Sequence, residues 1–216
     1  MEIKYFIRTT GERVLDESIS RELGEDYTLL VDTEHNSGKA YLEQMLVINE
    51  YPSVFMEDDI ILCKDFKNRI EKVINEHPDE IINFFTFPTT YMKTSVQNFH
   101  CYNQCCYFPK GLPKKLHDTI FEKNLLHRRQ EVMLREALFR MRIKTLVYRP
   151  CLVQHIDNGS LMGHHPAFSR RTPYFIDYLD ELGITYEEAR TGENKNKLIR
   201  LLREKFKEID NKWNQF

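Results

Sequence analysis

The sequence predicts an α/β fold, with a mostly parallel mixed sheet flanked by helices and closed by a helical C-terminal tail. Short apolar runs alternate with amphipathic stretches through the first half of the chain, and a strand–helix–strand unit stands out near its start. No internal repeat, low-complexity tract or linker divides the chain, so its 216 residues read as one domain. Hydrophobic content of 41% and aromatic content of 12% describe a folded chain rather than a disordered or fibrous one.

IKYFIRT (3–9) and YTLLVD (27–32) are rich in β-branched and aromatic residues and read as buried strands. In NSGKAYLEQMLVINEY, Leu42, Met45, Leu46 and Asn49 share one helical stripe after a cap at Ser37. A third run, SVFMED (53–58), ends in three consecutive acids and resumes as IILC. KDFKNRIEKVINEH follows as a helix and IINFFTF (81–87) as another strand. TTYMKTSVQNFHCYNQ has no helical period and reads as a long loop, a type that often carries substrate contacts, leading into the strand QCCYFP (104–109).

A helix from Pro113 to about Asn124 has proline in its first turn, and QEVMLREALFRMR (130–142) is a helix with an acid near its start. KTLVYRPCLVQHI (144–156) is a strand pair or a bent strand interrupted by Pro150. The glycine- and histidine-rich turn NGSLMGHHP and a charged helical tail complete the chain.

The formal charge of −2 conceals a basic cluster of Arg128, Arg129, Arg135, Arg140, Arg142, Lys144 and Arg149, which permits a phosphate-bearing partner without requiring one. No run approaches the roughly 18 apolar residues of a membrane span, and MEIKYFIRTT lacks the layout of a signal peptide, so a cytoplasmic protein is expected. Five cysteines without an export signal suggest reduced thiols. Cys101, Cys105 and Cys106, flanked by His100 and His117, lack the paired CxxC spacing of structural zinc sites.

The acidic triplet Glu57-Asp58-Asp59 is the strongest chemical signal. Like carboxylates at close range do not all stay ionised without a positive neighbour, and a divalent cation supplies one. Strand alternation places Glu57 and Asp59 on one face and Asp58 on the other. Carboxylate oxygens suit Mg2+ or Mn2+, which keep positions open for substrate phosphates when the protein donates only one or two ligands. Open sheets also bind ligands at the carboxyl ends of their strands, where the triplet lies. A solvated acidic turn after an edge strand is the plain alternative that the triplet alone leaves open.

VFMEDDIILCKDF resembles the segment of GT-A-fold glycosyltransferases in which a hydrophobic strand, an acidic triplet, a second hydrophobic strand and Asp-Phe follow one another. PCLVQHIDNGSLMGH is similar to the proline, short strand, His and Ser segment near the end of that catalytic domain. The resemblance covers about residues 1–160 in layout. It implies a Rossmann-like GT-A domain with a nucleotide-sugar-binding part over 1–110, an acceptor and catalytic part over 111–170 and the helical tail over 171–216.

The reaction it implies is transfer of a sugar from a nucleoside diphosphate sugar, a UDP-sugar above all, to a hydroxyl acceptor with Mn2+ or Mg2+ as cofactor. Asp59, Glu57 and His155 are the implied metal set, because a late histidine often joins the acidic motif in that family. Arg8, Thr9, Thr10 and Asp32 lie where base and ribose bind in that family, Arg13 helps to close that pocket, and Asp58 holds the turn or contacts the donor. Glu131 at a helix start is the implied general base, although Gln130 stands where family members often have the first of two Asp residues. Arg170 and Arg171 are placed to neutralise the leaving diphosphate. His164 and His165 read as turn residues or acceptor contacts. Acceptors compatible with the basic cluster include DNA carrying hydroxymethylated pyrimidines, and cell-surface or lipid-linked glycans fit as well. A metal-dependent nucleotidyltransferase and a non-catalytic nucleic-acid- or protein-binding module are the alternatives.

Overall fold

The computed structural model describes residues 1–86, 96–97, 103–127, 129–156, 171–190 and 192–213. β1 (Lys4–Thr9) leads through α1 (Glu17–Leu23) to β2 (Thr28–Val31), α2 (Ser37–Ile48) and β3 (Ser53–Glu57). Next come β4 (Ile60–Leu62), α3 (Phe66–Glu76), β5 (Ile81–Asn83), β6 (Val96–Gln97) and β7 (Cys105–Phe108). α4 (Leu112–Glu122), α5 (Gln130–Met141), β8 (Thr145–Val147) and β9 (Val153–His155) precede the tail helices α6 (Ile176–Leu182), α7 (Tyr186–Ala189) and α8 (Gly192–Trp213).

Seven strands form the main sheet in the order β2-β1-β3-β7-β5-β8-β6. β1 pairs in parallel with β2 and β3, and β5 in parallel with β8, whereas β7 is wedged antiparallel between β3 and β5 and β6 runs antiparallel to β8. β1, β2, β3, β5 and β8 therefore share one direction, and their carboxyl ends share one edge. The sheet is mixed and mostly parallel, as the strand–helix alternation implies.

The two-residue period of the strands decides which helix covers which face. Tyr5, Ile7, Val54, Met56, Cys105 and Tyr107 point to one side, into a cluster completed by Ile19 and Leu23 of α1, Ile70 and Ile74 of α3, and residues of α6 and α8. Phe6, Phe55, Cys106 and Phe108 point to the other, against Tyr41 and Met45 of α2, Leu116 of α4 and Leu134 of α5. Helices thus flank both faces, and the tail packs on the face opposite α2, α4 and α5.

Several elements depart from expectation. β2 is the edge of the sheet, so the run expected to be buried keeps Leu29 at 46% and Val31 at 51% exposure. The cap of α2 is Asn36, whose side chain accepts from Lys39 N, and not Ser37; Leu46 faces solvent. α1 has no counterpart in the sequence expectation: Asp16 caps it, and Ser18 Oγ accepts from Leu62 N at 2.9 Å, tying the helix to β4. The expected strand 81–87 is shorter, ending as β5 at Asn83, and residue 87 lies outside the described residues, as do most of the expected loop at 89–104 and the expected turn at 158–166. The segment 144–156 divides into β8 in the main sheet and β9 in a separate two-stranded sheet with β4.

Candidate functional site

The chemistry-bearing residues gather where β1, β2 and β3 end. Parallel pairing aligns Arg8 with both Leu30 and Glu57, and the Asp32 amide donates to Thr9 O at 2.8 Å, extending the β1–β2 ladder by one residue. Beyond Glu57 the chain bends at Asp58-Asp59 and leaves the main sheet for β4. There it pairs antiparallel with β9, with Ile60 opposite His155, and the Ile156 amide donates to Asp59 O at 2.7 Å.

That second ladder brings the late histidine to the acidic turn. His155 Nε2 lies 3.4 Å from Asp59 Oδ2, and both side chains are nearly closed to solvent. Arg13 reaches the same turn from the loop after β1: its Nη1 lies 2.7 Å from Asp59 Oδ2 and 3.2 Å from Asp58 Oδ1. The expected alternation of Glu57 and Asp59 against Asp58 is lost here because the backbone bends instead of continuing as strand, and one guanidinium nitrogen engages both aspartates. Gly11 allows the loop to double back, since its φ of +81° suits glycine, and its amide donates to Thr9 Oγ1. The Thr9 hydroxyl in turn bonds Asp58. Thr10 Oγ1 is shielded and has no hydrogen-bond partner among the described residues.

A second polar group lies beside the first. The Gln130 side chain, at the first residue of α5, accepts from Arg8 Nη1 through Oε1 and donates to Glu57 Oε1 through Nε2. Arg8 also stands 3.7 Å from Asp32 and 3.9 Å from Glu57. Asp32 Oδ1 accepts from Asn36 N at the start of α2, so the buried carboxylate orders the entrance to that helix. Glu131 is half-buried and paired with Arg129, whose Nε donates to Oε1 at 2.6 Å. Of the two residues singled out at the start of α5, Gln130 enters the cluster and Glu131 faces its own arginine.

Burial and the neighbouring Asp59 charge push Glu57 up to about 6, against the pull of Arg8 and His155. Burial raises Asp58 as well, opposed by Thr9 and Arg13. For Asp59 burial acts in the same upward sense, but His155 and Arg13 overcome it and hold this carboxyl well below the usual carboxylate range. The turn therefore keeps one firmly ionised carboxylate, Asp59, beside one that readily takes a proton, Glu57.

Asp59 Oδ1 and both ring nitrogens of His155 are shielded from solvent and make no hydrogen bond among the described residues. Such oxygen and imidazole donors suit Mn2+ or Mg2+. The expected trio of Asp59, Glu57 and His155 does not close, because Gln130 and Arg8 draw Glu57 aside. Among the described residues no three His, Cys, Asp or Glu groups stand together as a metal site. The pair Asp59 and His155 fits an ion that takes its remaining ligands from substrate phosphates and water.

No family model matches the chain, and no curated protein matches it. The fold is similar to the crystal structure of A197 from STIV, with a TM-score of 0.47 and 14% identity over 71% of this chain and 84% of that one.

Arg171 is buried next to Tyr178, and Arg170, His164 and His165 lie outside the described residues. Of the basic cluster, Arg149 is occupied by Tyr186, donating to its hydroxyl at 2.7 Å and lying over its ring, while Arg135, Arg140, Arg142 and Lys144 are exposed. Cys63, Cys105, Cys106 and Cys151 are buried free thiols, and Cys105 and Cys106 fill opposite faces of the sheet. Arg8, at the end of β1, and Gln130, at the start of α5, both stand out in the sequence; the contact between them does not, because they meet across a separation of 122 residues. No helix among the described residues is long and apolar enough to cross a membrane.

Proposed function

We propose that the protein is a metal-dependent glycosyltransferase of the GT-A type, moving a sugar from a nucleoside diphosphate sugar to a hydroxyl acceptor. The observation that carries this reading is the meeting of Asp59 and His155 across the β4–β9 ladder, at the carboxyl ends of parallel strands. Asp59 and His155 hold the divalent ion. That ion, when bound, supplies positive charge against the leaving diphosphate.

Asp32, Arg8, Thr9 and Thr10 line the base and ribose side. Glu57, oriented by Gln130, faces the donor from the end of β3. Arg170 and Arg171 serve the diphosphate. Glu131, at the first turn of α5, takes the proton from the acceptor hydroxyl as that oxygen attacks the anomeric carbon. The acceptor is a hydroxyl on hydroxymethylated DNA or on a glycan, and the exposed cations Arg135, Arg140, Arg142 and Lys144 favour an anionic one.

Thermal unfolding across a panel of nucleoside diphosphates and sugar nucleotides, with and without Mn2+, tests the donor side. A ligand that binds only the folded chain at 100 times its Kd contributes about 2.7 kcal/mol. Stabilisation by a uridine diphosphate only with Mn2+ present is expected, and no stabilisation by any diphosphate with metal overturns the reading. Intact-mass analysis of hydroxymethylated DNA and of glycan acceptors, incubated with the donor so found, separates the acceptor classes.

A further inference from the structure

One oxygen carries two relationships. Asp59 Oδ2 faces His155 Nε2 at 3.4 Å, and the same oxygen is held by Arg13 Nη1 at 2.7 Å. A cation joining Asp59 to His155 either takes Oδ2 from the guanidinium or binds the unpartnered Oδ1 and sets its two charges beside the guanidinium on one carboxylate; both compete with Arg13. Arg13 also spans to Asp58 Oδ1 at 3.2 Å, so a single side chain neutralises the two aspartates of the bend. A guanidinium is always charged and suits carboxylates, and here it does for the turn what like carboxylates require of a positive neighbour.

Arg13 sits in a connection that can move at little cost to the core. Gly11, Glu12 and Val14 around it are exposed, with Val14 at 76%, and the segment runs from Gly11 at φ +81° to Asp16, the cap of α1. Withdrawal of Arg13 exposes no buried apolar side chain of that loop except the partly buried Leu15.

We propose that Arg13 is the resident counter-ion of the acidic turn, and that Arg13 and a divalent cation occupy Asp59 in alternation. Ion binding releases the guanidinium from Asp59, and the freed group can pair bidentately with phosphate oxygens. Without an ion, Arg13 spans the two aspartates and keeps the turn ordered. This inference rests on the metal-dependent reading proposed above.

The test is Mn2+ binding, with MnCl2 alone and no nucleotide, measured by electron paramagnetic resonance of free Mn2+ on wild type and on Arg13→Gln. Removal of the competitor raises Mn2+ affinity at least tenfold, and binding by Arg13→Gln where wild type shows none has the same meaning. Equal or weaker affinity in Arg13→Gln overturns the alternation and leaves the metal-dependent reading standing. Failure of both proteins to bind Mn2+, alone or with UDP, removes that reading and the inference with it. If Arg13→Gln does not fold, the side-chain Nε–H resonance of Arg13 in the wild-type protein gives the answer. It shifts on saturation with Mg2+ if the guanidinium leaves Asp59, and an unmoved resonance at saturation overturns the proposal.

Discussion

His155 Nε2 lies 3.4 Å from Asp59 Oδ2 because the residue after Asp59, Ile60, is directly opposed to His155 in the antiparallel β4–β9 ladder. The contact is a property of backbone register, so it needs no long side chain to reach across the site. Leu62 N bonded to Ser18 Oγ and Cys63 N bonded to Leu152 O fix that register from the far end.

His155→Gln keeps the fold, because the amide fills the same buried position on β9 and can still donate towards Asp59. With the imidazole donor gone, Mn2+-dependent sugar transfer falls on the order of 10²-fold, the scale of losing one preorganised electrostatic group. Steady-state kinetics beside a thermal melt reads both quantities. A rate within threefold of wild type removes His155 from the metal site.

Glu57 makes the protein without ligand less stable as pH rises. Its folded carboxyl sits at about 6 against an ordinary 4.5, so between those values the unfolded chain has lost a proton that the folded chain retains. Stability therefore declines across pH 4.5–6, by about 2 kcal/mol. Asp59 acts with the opposite sign in a separate window, its stabilisation being present above the ordinary carboxylate range and lost on acidification below it. Chemical denaturation from pH 4 to 7 should show the decline in wild type and a shallower one in Glu57→Gln, because burial raises Asp58 and Asp177 in the same direction.

Gln130 and Glu131 are neighbours with different consequences. Gln130→Ala leaves the partly buried Arg8 and Glu57 without their shared amide and costs about 1–2 kcal/mol of stability. Glu131→Gln breaks only a partly exposed pair with Arg129 and costs under about 0.5 kcal/mol. As the proposed base, Glu131 instead governs rate, and its amide variant slows transfer on the order of 10²-fold with donor affinity unchanged. Equal rates in Glu131→Gln and wild type would assign the proton to another group.

Gln154, fully buried on β9 beside His155, accepts from Thr172 N and donates to Thr172 O, both at 2.8 Å. It fastens the chain that follows residues 157–170 to the strand that carries the histidine. Gln154→Ala orphans a backbone donor and acceptor in the core and costs about 3 kcal/mol, measurable in a urea titration. A loss under about 1 kcal/mol would mean that Thr172 finds other partners.

Most strands and most helices were legible because each is a short apolar run or a striped stretch with its own local signal; β6 was not, since Val96–Gln97 falls in the stretch 89–104 that reads as a loop. β7 was legible as a strand but not as an antiparallel insertion between β3 and β5, since direction is set by pairing and not by composition. α1 escaped notice because Ser18, Ile19 and Leu23 are its only buried residues, too few to draw a stripe. The acidic triplet and His155 could be singled out from the chain, yet their contact depends on β4 and β9 pairing across more than 90 positions. The bonds of Arg13 to Asp58 and Asp59, and of Gln130 to Arg8 and Glu57, join side chains far apart in sequence and follow from the fold alone.

Anomalous diffraction from crystals grown with MnCl2 and UDP gives the most direct test of a metal-dependent donor site. A manganese peak coordinated by Asp59 and His155, with the diphosphate bound to it and uridine towards Asp32, is the expected result. A nucleotide bound without manganese at Asp59, or manganese and nucleotide bound elsewhere on the molecule, would contradict it.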